Sequence, residues 1–312
     1  VTATNATLSG RVLIAAFEGW SDAGGAASAA AQWMLNHLNH EIIAELSAEE
    51  YVDYQMHRPR LTLESDGSRS ISWPDTRLYG PVVRPASQAE DDGAATIGSI
   101  DGEVIRYVSG ALANDVFILL GAEPSRNWQQ CVQTVIKLCT TWEIDHVIVL
   151  GSLFADTPHS RPISTIATSE NPELRARFNL ERSEYEGPAG IASIFAIEAN
   201  AARFDQISVW ASVPHYVHSA PSPKATLALL DQLEELLDIV IPRGELVEQS
   251  NDWEANITSL AAGDRDMAEY IAQLEQARDE VEGPEATGEA IAHEFEKFLR
   301  RDSGRSAESD AD

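Results

Sequence analysis

The chain predicts an α/β fold built on a largely parallel sheet, and three observations carry that prediction. Four short apolar runs, too brief for helices and lacking polar alternation, read as fully buried strands. Stretches of ten or more residues with helical patterning separate most of these strands, which is the spacing parallel strands need. Each run also empties into a loop rich in Gly, Pro, acidic residues or His. In an open parallel sheet such loops converge on one edge, where ligands bind.

Arg11–Phe17 is the first strand. The helix predicted from Asp22 to about Asn39 has a small-residue face, Ala23–Ala31, suited to close packing on a sheet, with Ser21 or Asp22 as its cap. Glu41–Leu46 is a second short strand. Over Arg60–Pro81 the pattern changes to the alternation LTLESDGSRSISW, which turns at Asp66–Gly67, so a small antiparallel insertion is expected over about residues 60–83. Val116–Leu120 leads into a helix over Pro124–Glu143, and Val147–Leu150 into the loop that carries His159. Ile163–Thr168 reads as a strand, Pro172–Phe178 as a short helix and Gly190–Ala202 as a longer one opened by the turn at Glu186. Ile207–Ala211 is the last clear strand, and the turn at Pro221–Pro223 hands over to a helix, Ala225–Ile241. Helices on both faces of such a sheet give three α/β/α layers within residues 1–244.

Composition shifts after Pro242–Gly244. Residues 245–312 hold nineteen acidic and six basic side chains, a net of −13, with Trp253, Ile257, Leu260, Met267 and Ile271 at helical spacings. This predicts an acidic helical appendage over residues 245–302, broken at Gly283–Pro284, and a disordered tail over 303–312. Such a helical pair can cover the strand-end crevice, form a subunit contact or solubilise the chain.

The 312 residues include 50 acidic and 22 basic, three of them lysines, for a net charge of −28. A surface so negative repels phosphate backbones and anionic headgroups, which argues against nucleic-acid and membrane partners. No apolar stretch approaches the ~18 residues of a membrane span, and the first residues do not resemble a signal peptide. Cys131 and Cys139 fall about two turns apart on one helix, too far for a disulfide. Buried free thiols and a cytoplasmic location are expected.

The loops behind the strands supply the candidate pocket: Glu18, Trp20, Asp22, Glu123, Asp156, His159, Arg161, Glu186 and His215. Clustered carboxylates raise one another's pKa and serve as an acid–base pair or hold a divalent ion, although helix caps look the same in sequence. Asp22 reads as a cap. A histidine such as His159 or His215 in a proline-fixed loop can exchange protons near neutral pH. Arg161 suits either a substrate carboxylate or an internal partner such as Asp156. Trp20, Trp128 and Tyr216 suit an apolar pocket, a protein contact or the core. No metal site and no cofactor are expected, because His-x-x-x-His, Cys-x-x-Cys and the glycine-rich phosphate loops are all missing from the sequence. Gly24–Gly25 at a helix start allows either anion binding or tight packing. Ser125 and Ser152 follow strands, but neither sits in a Gly-x-Ser-x-Gly elbow, so no nucleophile stands out.

FEGWSDAGGAA from Phe17, LLGAEPSRNW from Leu119, LGSLFADTPHSRP from Leu150, YEGPAGI from Tyr185 and VWASVPHYVHSAPSPKATLALL from Val209 together resemble the PAC2 family, named after a proteasome assembly chaperone. The pieces span most of residues 11–241. The acidic region beyond Pro242 looks like a feature of an actinobacterial subgroup. The resemblance implies an α/β/α core similar to the phosphorylase and nucleosidase folds, homo-oligomerisation as a trimer, and a proteasome-related protein partner. It supplies no catalytic assignment. Two readings follow: an oligomeric, non-catalytic binding or assembly protein, and a small-molecule-binding protein or hydrolase- or nucleosidase-like enzyme working at the strand-end crevice.

Overall fold

Strand β1 (Val12–Glu18) takes the middle of a seven-stranded sheet because its first six residues are apolar and buried whichever way they point. In the computed structural model, which describes residues 7–82, 103–218 and 221–281, the strand order is β2 (His40–Leu46), β5 (Thr76–Pro81), β7 (Val116–Ala122), β1, β8 (His146–Ala155), β10 (Asp205–Pro214) and β9 (Thr165–Thr168). Strands β7, β1, β8 and β10 run parallel. The outer strands are antiparallel to their inner neighbours, β5 to β7, β2 to β5 and β9 to β10. The four parallel strands therefore deliver their outgoing loops to one edge.

The period of two along β1 divides the core. Val12, Ile14 and Ala16 pack with the buried faces of α1 (Ala26–Asn36) and α6 (Pro223–Leu237). Leu13, Ala15 and Phe17 pack with α3 (Trp128–Thr141) and α5 (Ile191–Ala201) on the opposite face. This is the expected helix–sheet–helix arrangement. Cys131 and Cys139 sit in the second layer as buried free thiols, and burial pushes them up to about 11 and about 12.

Several boundaries differ from the expectation for local reasons. Helix α1 begins at Ala26 rather than Asp22, because Gly24 and Gly25 both take left-handed φ of 61° and hold Ala23–Gly25 as a short 3-10 turn. At Gly24 a side chain would come within 2.9 Å of Ser222 Cβ, so tight packing explains this glycine. Asn127, at φ 56°, delays α3 to Trp128. Asp238, at φ 54°, ends α6 at Leu237, and Ile239–Val240 then forms a two-residue strand, β11, paired with β6 (Arg106–Tyr107).

The antiparallel insertion divides. Its hairpin, β3 (Arg60–Leu63) and β4 (Arg69–Ser72), forms a separate two-stranded sheet, whereas β5 enters the main sheet between β2 and β7. The appendage is a helical pair, α7 (Leu246–Ala262) and α8 (Arg265–Val281). Its break falls at Gly263 rather than first at Gly283–Pro284, since the Asp264 carboxylate accepts the Asp266 and Met267 N–H groups and starts α8 afresh. Residues 283–284 and 303–312 lie outside the described residues. Helix α7 packs on α6, with Leu246, Trp253 and Ile257 buried, and Ile271 of α8 is buried as well.

Candidate functional site

The rim at the carboxyl ends of the parallel strands holds all the expected site residues except Glu186 directly behind those strands. By the partners they find, it divides them into two unlike groups.

On the β1/β7 side each half-buried carboxylate is occupied by backbone. Asp22 turns inward and its Oδ1 accepts the Ala27 and Ser28 N–H groups at 2.8 and 3.2 Å, while Ser28 Oγ donates to Oδ2. It thus fills the N-terminus of α1 that an anion would otherwise use. Burial is the largest influence on Asp22 and raises its pKa against those hydrogen bonds. Glu123 bridges two segments: Oε1 accepts the Ile191 N–H at 2.9 Å, capping α5, and Oε2 accepts the Trp20 N–H at 3.3 Å. Gly190 is required at this junction, since a Cβ there would lie 2.4 Å from Ser21 Oγ and 3.1 Å from Glu123 Oε1. Glu18, Trp20 and Glu186 remain exposed, Trp20 at 70%. Of the post-strand serines, Ser152 Oγ donates to the Ala23 carbonyl and Ser125 Oγ accepts the Asp53 N–H.

On the β8/β10 side the polar groups are tied to one another and to α7–α8. His159 is 2% exposed. Its Nδ1 lies 3.0 Å from Tyr216 Oη and its Nε2 3.0 Å from Thr258 Oγ1. The Thr258 hydroxyl donates to the Glu254 carbonyl, so its oxygen is left to accept from Nε2–H. Tyr216 Oη accepts the His159 backbone N–H, so its own proton is free for Nδ1. The network is therefore complete with a neutral imidazole. Burial dominates the lowering of the His159 pKa, and burial likewise pushes Tyr216 up to about 12, which keeps it a proton donor.

Asp156 Oδ1 accepts from Tyr270 Oη of α8 at 3.0 Å and lies 3.2 Å from His215 Nδ1. The rings of His215, Tyr216 and Tyr270 meet edge to face, with centroids 5.6–6.2 Å apart. Arg161 grips Asp279 with two 2.7 Å hydrogen bonds and approaches Glu275, rather than turning to Asp156 alone. Ser160 donates to Glu275, and Lys224 pairs with Glu254 while donating to the His159 carbonyl. The acidic helices therefore roof this half of the rim.

Lys224, Thr258, Tyr270, Glu275 and Asp279 were not singled out from the sequence. A signal existed in their i,i+4 spacings, Glu254 with Thr258 and Glu275 with Asp279, which place each pair on one helix face. Two open concavities, of about 580 Å³ beside Tyr54 and Arg126 and about 440 Å³ on α7, are lined by none of the nine candidates. Among the described residues no cluster of His, Cys, Asp and Glu is arranged to hold a metal ion, and no helix is long and apolar enough to cross a membrane.

An α/β protein whose strand-end rim is half roofed by its own acidic helices is the class this geometry defines. The chain belongs to the PAC2 family, which matches residues 16–261 and so extends through most of α7. It is similar to a PAC2 family protein from Streptomyces avermitilis, at 37% identity and a TM-score of 0.69, covering 84% of this chain and 99% of that one. It is also similar to a proteasome-assembly chaperone homologue from Mycobacterium tuberculosis, at 34% identity and a TM-score of 0.65, covering 83% and 99%. An archaeal homologue of proteasome-assembly chaperone from Pyrococcus furiosus shares the fold, with 16% identity, a TM-score of 0.51 and coverage of 87% and 96%. Among curated proteins none matches the chain.

Proposed function

We propose that this protein is a non-catalytic, homo-oligomeric binding protein with a chaperone-like role in the assembly of a proteasome-related complex in the cytoplasm. One observation carries the reading: the most chemically capable groups of the rim are committed to holding the fold. Asp22 and Glu123 satisfy helix N-termini, His159 is locked between Tyr216 and Thr258, and Arg161 is gripped by Asp279. A general acid or base needs access to a substrate proton, and His159 is buried beneath α7. Family membership and the similarity to a proteasome-assembly chaperone homologue support the same reading.

The test is reconstitution. Purified proteasome α- and β-type subunits should form rings faster with the chain present and should co-migrate with it in native electrophoresis. Unchanged assembly kinetics with no co-migrating species would overturn the proposal. Turnover of a nucleoside or ester substrate that disappears in His159→Gln would favour the enzymatic alternative instead.

A further inference from the structure

The β3–β4 hairpin is an amphipathic two-stranded sheet whose apolar face is left open by the described residues. Leu61 and Leu63 are two apart on β3 and so share a face, and Leu61 pairs directly with Ile71 on β4. All three are exposed, at 58%, 69% and 56%. The other face carries Arg60, Thr62, Ser70 and Ser72. An isolated hairpin is marginal in water, and alternation of this kind ordinarily marks a face that becomes buried. The turn is nevertheless well made: Asp66 accepts the Ser68 N–H and hydroxyl, Gly67 takes φ 83°, and Glu64 and Ser68 close the end of the ladder. The arm is thus built to hold its shape.

The arm springs from the open half of the rim. The chain leading into it is fastened to the loop behind β7, where the Ser125 N–H donates to the Tyr51 carbonyl and Arg126 donates to the Glu49 and Glu50 carbonyls, and the ends of the arm stay close by: Arg58 and Pro59 line one concavity with Arg126, and Trp73 packs on Tyr54. Its charge is opposite to that of the molecule. Residues 57–73 contain Arg58, Arg60 and Arg69 against Glu64 and Asp66, in a chain of net charge −28. The open half of the rim supplies the complement, an exposed Trp20 two residues beyond the exposed Glu18 and 3.2 Å from where a Cβ on Gly190 would stand, with the exposed Glu186 in the turn that leads to Gly190.

We infer that the β3–β4 arm of one copy docks on the Trp20 rim of a second copy, with Leu61, Leu63 and Ile71 covering the indole and Arg69, which pairs with Leu63 on the same face, meeting Glu18 and Glu186. Such a contact is heterologous, so each copy offers one arm and one rim, and repetition closes a ring. The inference rests on the homo-oligomeric part of the proposed function and specifies its interface.

Sedimentation velocity on the full chain distinguishes the failures. The parent should sediment as a multiple of its 34.0 kDa mass. Both Leu61→Asp/Leu63→Asp and Trp20→Asp should sediment as single copies while keeping the parent's far-ultraviolet circular dichroism, because every altered side chain is exposed. Trp20→Phe should retain the assembly. An equimolar mixture of the arm and rim variants should yield a discrete dimer, since one intact arm then meets one intact rim. A single-copy parent would overturn both the oligomeric reading and this interface. Assembly that survives Trp20→Asp but not the arm variant would place the arm elsewhere and overturn the interface alone, as would failure of the mixture to dimerise. If the double aspartate variant misfolds, Leu61→Ser/Leu63→Ser provides the same readout.

Discussion

The two halves of the rim use similar residues in opposite ways. Behind β8 and β10, Asp156, His159, Arg161 and His215 are closed over by α7–α8 and find partners on them or on one another. Behind β1 and β7, the half-buried carboxylates serve helix N-termini, and Trp20, Glu18 and Glu186 are left facing water. Polar residues at strand ends therefore mark a place where the chain must solve a local problem. They become a ligand site only where no neighbouring backbone or helix has already taken them.

The largest expected effect breaks the closed half. Trp253→Ala removes the largest buried side chain anchoring α7 and should cost about 3–5 kcal/mol in denaturant unfolding. It should also speed amide exchange through residues 156–161. A loss below ~1 kcal/mol would mean that α7–α8 lies loosely on the rim. Next comes His159→Ala, which strands Tyr216 and Thr258 without their ring partner and should cost about 1–3 kcal/mol. Trp20→Ala, on the open half, should change single-copy stability by no more than about 0.5 kcal/mol. Equal costs for His159→Ala and Trp20→Ala would erase the comparison.

Acid should act on the halves with opposite sign. The folded-state pKa of His159 is lowered below 6.5, so between the two values the unfolded chain binds more protons. Its stabilising contribution is full above pH 6.5 and is lost as pH falls from there through the folded value. The folded-state pKa of Asp22 is raised above 3.8, so burial of its charge is a cost near neutrality that is relieved as pH falls through that raised value. His40, whose pKa is also lowered by burial, adds to the first trend. Melting temperatures of the parent and His159→Gln between pH 7.5 and 5 should therefore converge on acidification, and Asp22→Asn should separate from the parent in the other sense. Parallel curves for all three proteins would contradict these assignments. The smallest effect is expected for Asp279→Ala, whose carboxylate is exposed and held below its usual range by the Arg161 hydrogen bond. It should loosen only the end of α8 in amide exchange, and more visibly at low salt than at high.

Much of this was legible in the sequence, for physical reasons that differ by element. The four parallel strands could be read because burial on both faces makes an unbroken apolar run, and the Asp66–Gly67 turn because a left-handed glycine has a local signature. Asp22 could be read as a cap for the same local reason. The insertion of β5 beside β7 could not be read, since its alternating burial fits any sheet edge. That the acidic helical pair covers the strand-end crevice was one of three readings the sequence left open, but the contacts themselves were hidden: Thr258 and Tyr270 acquire meaning only when a helix more than ninety residues away folds back onto the loop. The i,i+4 pairs showed which helix faces were polar, but nothing local named their counterpart.

The register of β1 bears on how the molecule is made. Its residues pair with Val116–Ala122 on one side and His146–Val149 on the other, so Val12 leaves a ribosome 104 residues ahead of its first partner, Val116, and 134 ahead of its second, His146. Contacts this distant in sequence slow folding and leave a largely apolar heptapeptide awaiting its partners, a stretch for which a nascent-chain holdase would compete during synthesis.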